Sequence, residues 1–94
     1  MNVIFSSRAK SDIIEIVEYI SNDKPQAAKK WANSIKSSIT KLPEFPRLGR
    51  VVPEYSDDFI REILKDQYRI VYKIDERKSN VVIITIHNSK RIFL

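Results

Sequence analysis

Four basic side chains, Arg61, Lys65, Arg69 and Lys73, recur at every fourth position of FIREILKDQYRIVYKI. His87 is the only histidine, and Glu54 adds a carboxylate within PRLGRVVPE. A guanidinium presents forked donors that clamp a phosphate or a carboxylate. An imidazole titrates near neutrality, so it can act as acid or base. The chemistry these residues suggest is the handling of an anion, by binding alone or with proton transfer. One histidine and no cysteine make a zinc site an unsuitable reading. No metal or organic cofactor is indicated.

The charge of the whole chain points the same way. Its 94 residues suit one domain, spanning 1–94, and carry a net charge of +5. Residues 43–58 hold two basic and four acidic groups, so the excess positive charge lies in the segments on either side. Such a surface favours phosphate backbones or an acidic protein partner, or serves solubility alone. No apolar run approaches the ~20 residues that span a bilayer. MNVIFSSRAK has no apolar signal core, so we expect a cytoplasmic protein without a membrane partner.

The elements that must position these residues can be read from periodicity. NVIF reads as a short strand. Ala9, Ile13, Ile16, Val17 and Ile20 fall on one face of a helix, with Ser7 as its expected N-cap. NDKP ends that helix, and Pro25 opens a second with Ala28, Trp31, Ile35, Ile39 and Leu42 on one face. PEFPRLGRVVPEYSDD holds three prolines and the only glycine and reads as a long loop. FIREILK and YRIVYKI are rich in β-branched and aromatic residues, with a tight turn expected at DQ. VVIITIH reads as a strand buried on both faces. The expected fold is α+β, ordered β-α-α-β-β-β. A helical hairpin packs on one face of a small, mainly antiparallel twisted sheet.

Even spacing places Arg61 with Lys65 on one face of their strand, and Arg69 with Lys73 on one face of the next. Whether the two pairs share a side depends on register. A helix-covered side cannot take four charges without partners, so we expect the uncovered face or its rim to carry them. Bland roles stand beside the functional ones. Arg69 can pair with Glu62 or Asp66 across the hairpin, and His87 can be a hydrogen-bonded structural residue.

The opening strand, RAKSDIIEIVEYI, PRLGRVVPE, IREI, YRIVYKI and IHNSKR follow one another across nearly the whole chain. In this order they resemble the RelE/ParE superfamily of toxins from type II toxin–antitoxin modules, and the ParE-like branch most closely. The resemblance implies a small basic toxin neutralised by a cognate antitoxin that wraps over it. ParE-like members poison DNA gyrase without known nuclease chemistry. RelE-like members cleave mRNA on the ribosome.

Glu54, Arg69 and His87 resemble the glutamate, arginine and histidine of YoeB-like members. On that reading Glu54 is the base, His87 the acid and Arg69 the phosphate clamp of an endoribonuclease. The resemblance also has departures. The YoeB-like histidine is followed by a tyrosine, and here Asn88 follows His87. Where RelE-like catalysis uses lysines, the matching positions are Ile60 and Glu62. The first expectation is therefore a non-enzymatic gyrase poison that meets its target through Arg61, Lys65, Lys90 and Arg91. The alternative is the ribosome-dependent nuclease.

Overall fold

The structure is a computed structural model and describes residues 1–90. Its elements run β1 (Asn2–Phe5), α1 (Ser7–Asp23), α2 (Pro25–Ile39), β2 (Arg50–Val51), β3 (Ile60–Lys65), β4 (Tyr68–Asp75) and β5 (Asn80–Asn88). The expected architecture is present, with β2 as an addition inside the long loop.

Ser6 caps α1, not Ser7. Its hydroxyl oxygen accepts from the Ala9 N–H at 3.0 Å while its O–H donates to the Ile84 carbonyl at 2.7 Å. Either serine can satisfy a free helix N–H. Ser6 also lies beside the Ile84 carbonyl, just past the last β1–β5 pair, so one hydroxyl serves two elements. The helices meet at Lys24, whose N–H bonds the Ile20 carbonyl at 3.0 Å. Pro25 follows at a position that needs no N–H. Leu42 is buried as expected, but in the turn after α2 rather than on the helix.

The strand order is β1-β5-β4-β3-β2, with β1 parallel to β5 and every other pair antiparallel. Tyr68, Ile70, Tyr72 and Ile74 of β4 pack with Val81, Ile83 and Ile86 of β5 against Trp31, Ile35 and Ile39. Trp31 meets Tyr68 edge-on, with ring centroids 5.2 Å apart. The reading of β5 as buried on both faces needs correction. Val81, Ile83 and Ile86 are buried, whereas Val82 and Ile84 are only half-buried, because helices cover one side alone.

That burial pattern skips a residue because β5 bulges. Tyr72 pairs with Ile83 and Val71 with Thr85, which leaves Ile84 as the extra residue. The bulge lies where β1 has ended. There Asp12 of α1 takes over, its Oδ2 accepting from Thr85 Oγ1 at 2.6 Å and from the Ile86 N–H at 3.0 Å. A carboxylate thus satisfies a strand edge that would otherwise lie open.

Register overturns the shared cationic face. The two-residue turn pairs Lys65 with Tyr68, so odd positions of β3 oppose even positions of β4. Residues directly opposite in a ladder point to the same side. Arg61 lies opposite Tyr72 and Lys65 opposite Tyr68, on the helix side. Arg69 and Lys73 point to the open side. Even spacing aligned each pair, and the turn length set the pairs on opposite faces.

Candidate functional site

The open sheet face is organised by one buried carboxylate. Glu62 is 1% exposed. Its Oε2 accepts from Nε and Nη2 of Arg50, each at 2.7 Å. Its Oε1 accepts from Nε of Arg69 at 2.6 Å and from Nη2 at 2.5 Å. Desolvating a carboxylate is costly, and two guanidiniums with charge-assisted bonds offset that cost. Glu62 therefore takes the cross-hairpin role considered for Arg69, and Asp66 does not.

The loop after β2 brings a second carboxylate. Glu54 Oε2 accepts from Arg69 Nη2 at 3.0 Å. That hydrogen bond holds Glu54 below the usual carboxylate range, against a smaller opposing effect of desolvation. His87 lies directly opposite Arg69 in the β4–β5 ladder. Desolvation first, and the Arg69 charge second, push its pKa below the ordinary imidazole value. Glu54, Arg69 and His87 line a concavity of about 250 Å³ with Val52, Val71 and Ile84.

The three residues named as a possible catalytic set therefore converge. Their electrostatics set what they can do. Arg69 is shared between two carboxylates, and Arg50 faces one of the same two. The four charges balance. Burial beside Arg69 disfavours the charged form of His87, which suits a base better than an acid.

The cations expected to meet a target are dispersed. Arg61 has a side chain only 13% exposed. It donates to the Asp58 carbonyl at 2.9 Å, to Asp58 Oδ1 at 2.7 Å and to the Gly49 carbonyl at 2.9 Å, which commits it to holding the loop. Lys65 and Lys90 lie at the other end of β3, beside the β3–β4 turn, where Ser89 N–H bonds the Gln67 carbonyl at 2.7 Å. Lys90 is exposed and Lys65 half-exposed. Arg91 lies outside the described residues.

Sequence reasoning did not single out Arg50, and treated Glu62 mainly as a mismatch. The available signal was Glu62 itself, a charge between Ile60 and Leu64 on the same face of its strand. It also missed the loop anchor. Tyr72 Oη accepts from the Gly49 N–H at 2.9 Å and donates to the Pro46 carbonyl at 2.6 Å. A Cβ on Gly49 would stand 2.6 Å from the Glu62 carbonyl oxygen and 2.7 Å from Tyr72 Oη. Only glycine allows this approach, and it delivers Arg50 to Glu62.

Among the described residues no helix is long and apolar enough to cross a membrane. No curated protein matches the sequence. The fold is similar to that of the chromosomal ParDE toxin–antitoxin system from P. aeruginosa, at 15% identity and a TM-score of 0.78 over 96% of this chain and 97% of that one. It is also similar to the RelBE2 complex of Mycobacterium tuberculosis, at 18% identity and a TM-score of 0.61 over 93% and 95% of the two chains. The isolated E. coli RelE toxin aligns at 18% identity and a TM-score of 0.59, covering 97% of this chain and 86% of that one. The family model of the ParE toxin of the type II toxin–antitoxin system parDE matches residues 3–93. The chain belongs to the ParE toxin family of type II toxin–antitoxin systems.

Proposed function

We propose that this toxin arrests growth by binding and poisoning DNA gyrase, without catalysis of its own. The observation that carries the reading is the neutralisation of Arg69 by Glu62 and Glu54. A nuclease needs a cation free to hold the scissile phosphate as charge develops on it. Here that cation is already bound to two carboxylates. His87, whose charged form is disfavoured by burial and by Arg69, is also poorly suited to protonate a leaving oxygen. Lys65 and Lys90 are the target-facing cations of this reading, and Arg61 serves it by holding the loop. The partner is a cognate antitoxin with acidic and apolar groups, and the setting is the cytoplasm.

Purified toxin incubated with gyrase and supercoiled DNA should yield cleaved DNA, with translation unaffected at first. The second reading is ribosome-dependent mRNA cleavage. The convergence of Glu54, Arg69 and His87 on one concavity favours it. Primer extension on cellular mRNA after brief induction separates the two, since site-specific cuts within codons would displace the gyrase reading.

A further inference from the structure

Residues 24–43 carry five lysines, Lys24, Lys29, Lys30, Lys36 and Lys41, and no aspartate or glutamate. Five is the net charge of the whole chain, so the remaining residues hold twelve basic and twelve acidic groups and cancel. All five lysines are exposed, and among the described residues none of them forms an ion pair. Arg47, Arg50, Arg61 and Arg69, by contrast, each meet a carboxylate. The helical hairpin is itself divided. α1 carries two basic and four acidic groups, whereas α2 carries three lysines and no acid. Helical geometry turns that charge outward. Ala28, Trp31, Ile35 and Ile39 form the buried face of α2. Lys29, Lys30 and Lys36 stand away from it, with Gln26, Asn33 and Ser37 exposed among them. Lys29 and Lys36 are two turns apart, ~10 Å along the axis. No large apolar side chain of α2 is exposed. This face looks away from the sheet, on the side opposite the concavity of Glu54, Arg69 and His87.

We propose that the outer face of α2 binds the phosphate backbone of duplex DNA, without regard to sequence. Polyphosphate binding draws on several uncompensated cations, and here five stand together with no carboxylate among them. Lysine ammoniums act as point charges on phosphates, and the amides of Gln26 and Asn33 and the Ser37 hydroxyl can add hydrogen bonds to phosphate oxygens. The same composition argues against other occupants. Protein interfaces are depleted in lysine and anchored by aromatic or apolar side chains, which this face does not expose. Insertion into a membrane surface needs an apolar face, and that of α2 is buried in the core. Single strands are held by stacking on aromatic rings, and the one aromatic of α2, Trp31, is buried. The inference goes beyond the gyrase reading and does not depend on which target the toxin attacks.

The test titrates the full chain into a fluorescein-labelled duplex of arbitrary sequence and follows anisotropy over a series of salt concentrations. Affinity should fall with salt at a log–log slope of about −3 to −4, as expected when four or so lysines displace counterions. The combined variant Lys29→Gln, Lys30→Gln, Lys36→Gln should bind about tenfold or more weakly, with a slope shallower by about 2–3. Its Tm should match that of the wild type, since the three side chains are exposed. A second variant, Lys73→Gln, Arg77→Gln, Lys78→Gln, removes the same charge from exposed positions on β4 and the following turn. It should keep its affinity within about twofold if the α2 face, and not net charge, is what binds. Equal losses in the two variants would overturn the proposal. So would tighter binding to a thymidine oligomer of equal length, to vesicles of phosphatidylcholine and phosphatidylserine in equal parts, or to polyglutamate of matched charge. No gyrase or ribosome enters the experiment, so its failure leaves the proposed target untouched.

Discussion

The Glu62 carboxylate meets the Arg69 guanidinium through Nε at 2.6 Å and Nη2 at 2.5 Å, on adjacent strands of the open face. Arg69 is 22% exposed in its side chain and Glu62 is fully buried. The pair fixes the direction of the one arginine that also reaches Glu54. Structural support and candidate recognition site thus share an atom, Arg69 Nη2.

Glu62→Gln should destabilise the fold by ~2–3 kcal/mol, because two guanidiniums lose a charged partner and an amide cannot accept equally from both. For a domain of this size that corresponds to a fall in Tm of about 10–15 °C. Arg69→Gln should cost more than Arg50→Gln, since Arg50 is 59% exposed and water replaces its contact more readily. Thermal unfolding of the three variants checks the order. Equal losses for the two arginine variants would count against the burial argument.

Gly49→Ala should cost ~1–3 kcal/mol by forcing the loop off Tyr72 and the Glu62 backbone. Tyr72→Phe should cost ~2 kcal/mol, leaving the Gly49 N–H and the Pro46 carbonyl without their partner. The two sites share one contact, so the double variant should lose less than the sum of the singles. Urea denaturation of all three proteins measures the coupling.

Three groups predict the acid response. Glu54 is held low by Arg69, and Asp58 by Arg47 and Arg61. A depressed carboxylate stabilises the fold above its unfolded pKa and loses that contribution as pH falls through the folded one. These losses should occur between about pH 5 and 3. His87 is depressed as well, so its contribution is complete above about pH 6.5 and declines below it. His87→Gln should flatten the Tm profile near pH 6, and Asp58→Asn should flatten it nearer pH 4. An imidazole titration midpoint above that of a free histidine peptide would contradict the account of His87.

Lys65→Glu and Lys90→Glu should each weaken gyrase poisoning by about three- to tenfold with little change in Tm, as expected for cations at the rim of a contact. Arg61→Gln should lower Tm by several degrees, because four loop oxygens lose a donor. DNA-cleavage titrations alongside melting curves distinguish the two kinds of loss. Matching losses of poisoning and stability in the lysine variants would remove them from the target surface.

Local pattern was enough for both helices and for every strand but β2. The helical spacing of Ala9 to Ile20 and of Ala28 to Ile39, the pause at NDKP, and the turn at DQ each reflect a rule that acts within a few residues. The convergence of Glu54, Arg69 and His87 was suggested by family resemblance, and no periodicity could have supplied it. Contacts between distant segments escaped the reading. Ser6 displaced Ser7 as the cap because a carbonyl 78 positions along the chain also needed a donor. Arg50 found Glu62 because Gly49 passes close under Tyr72.

The sequence by itself determined the two helices and every strand but β2, the apolar side of β4, and how much charge the chain carries. Tertiary structure alone decided where that charge stands. The two-residue turn between β3 and β4 offsets their parity, so Arg61 and Lys65 face away from Arg69 and Lys73. It also buried one carboxylate between two guanidiniums and so neutralised the arginine best placed to clamp an anion. Charge is a property of residues, but the field it produces depends on distance and desolvation, and only the packed chain sets those.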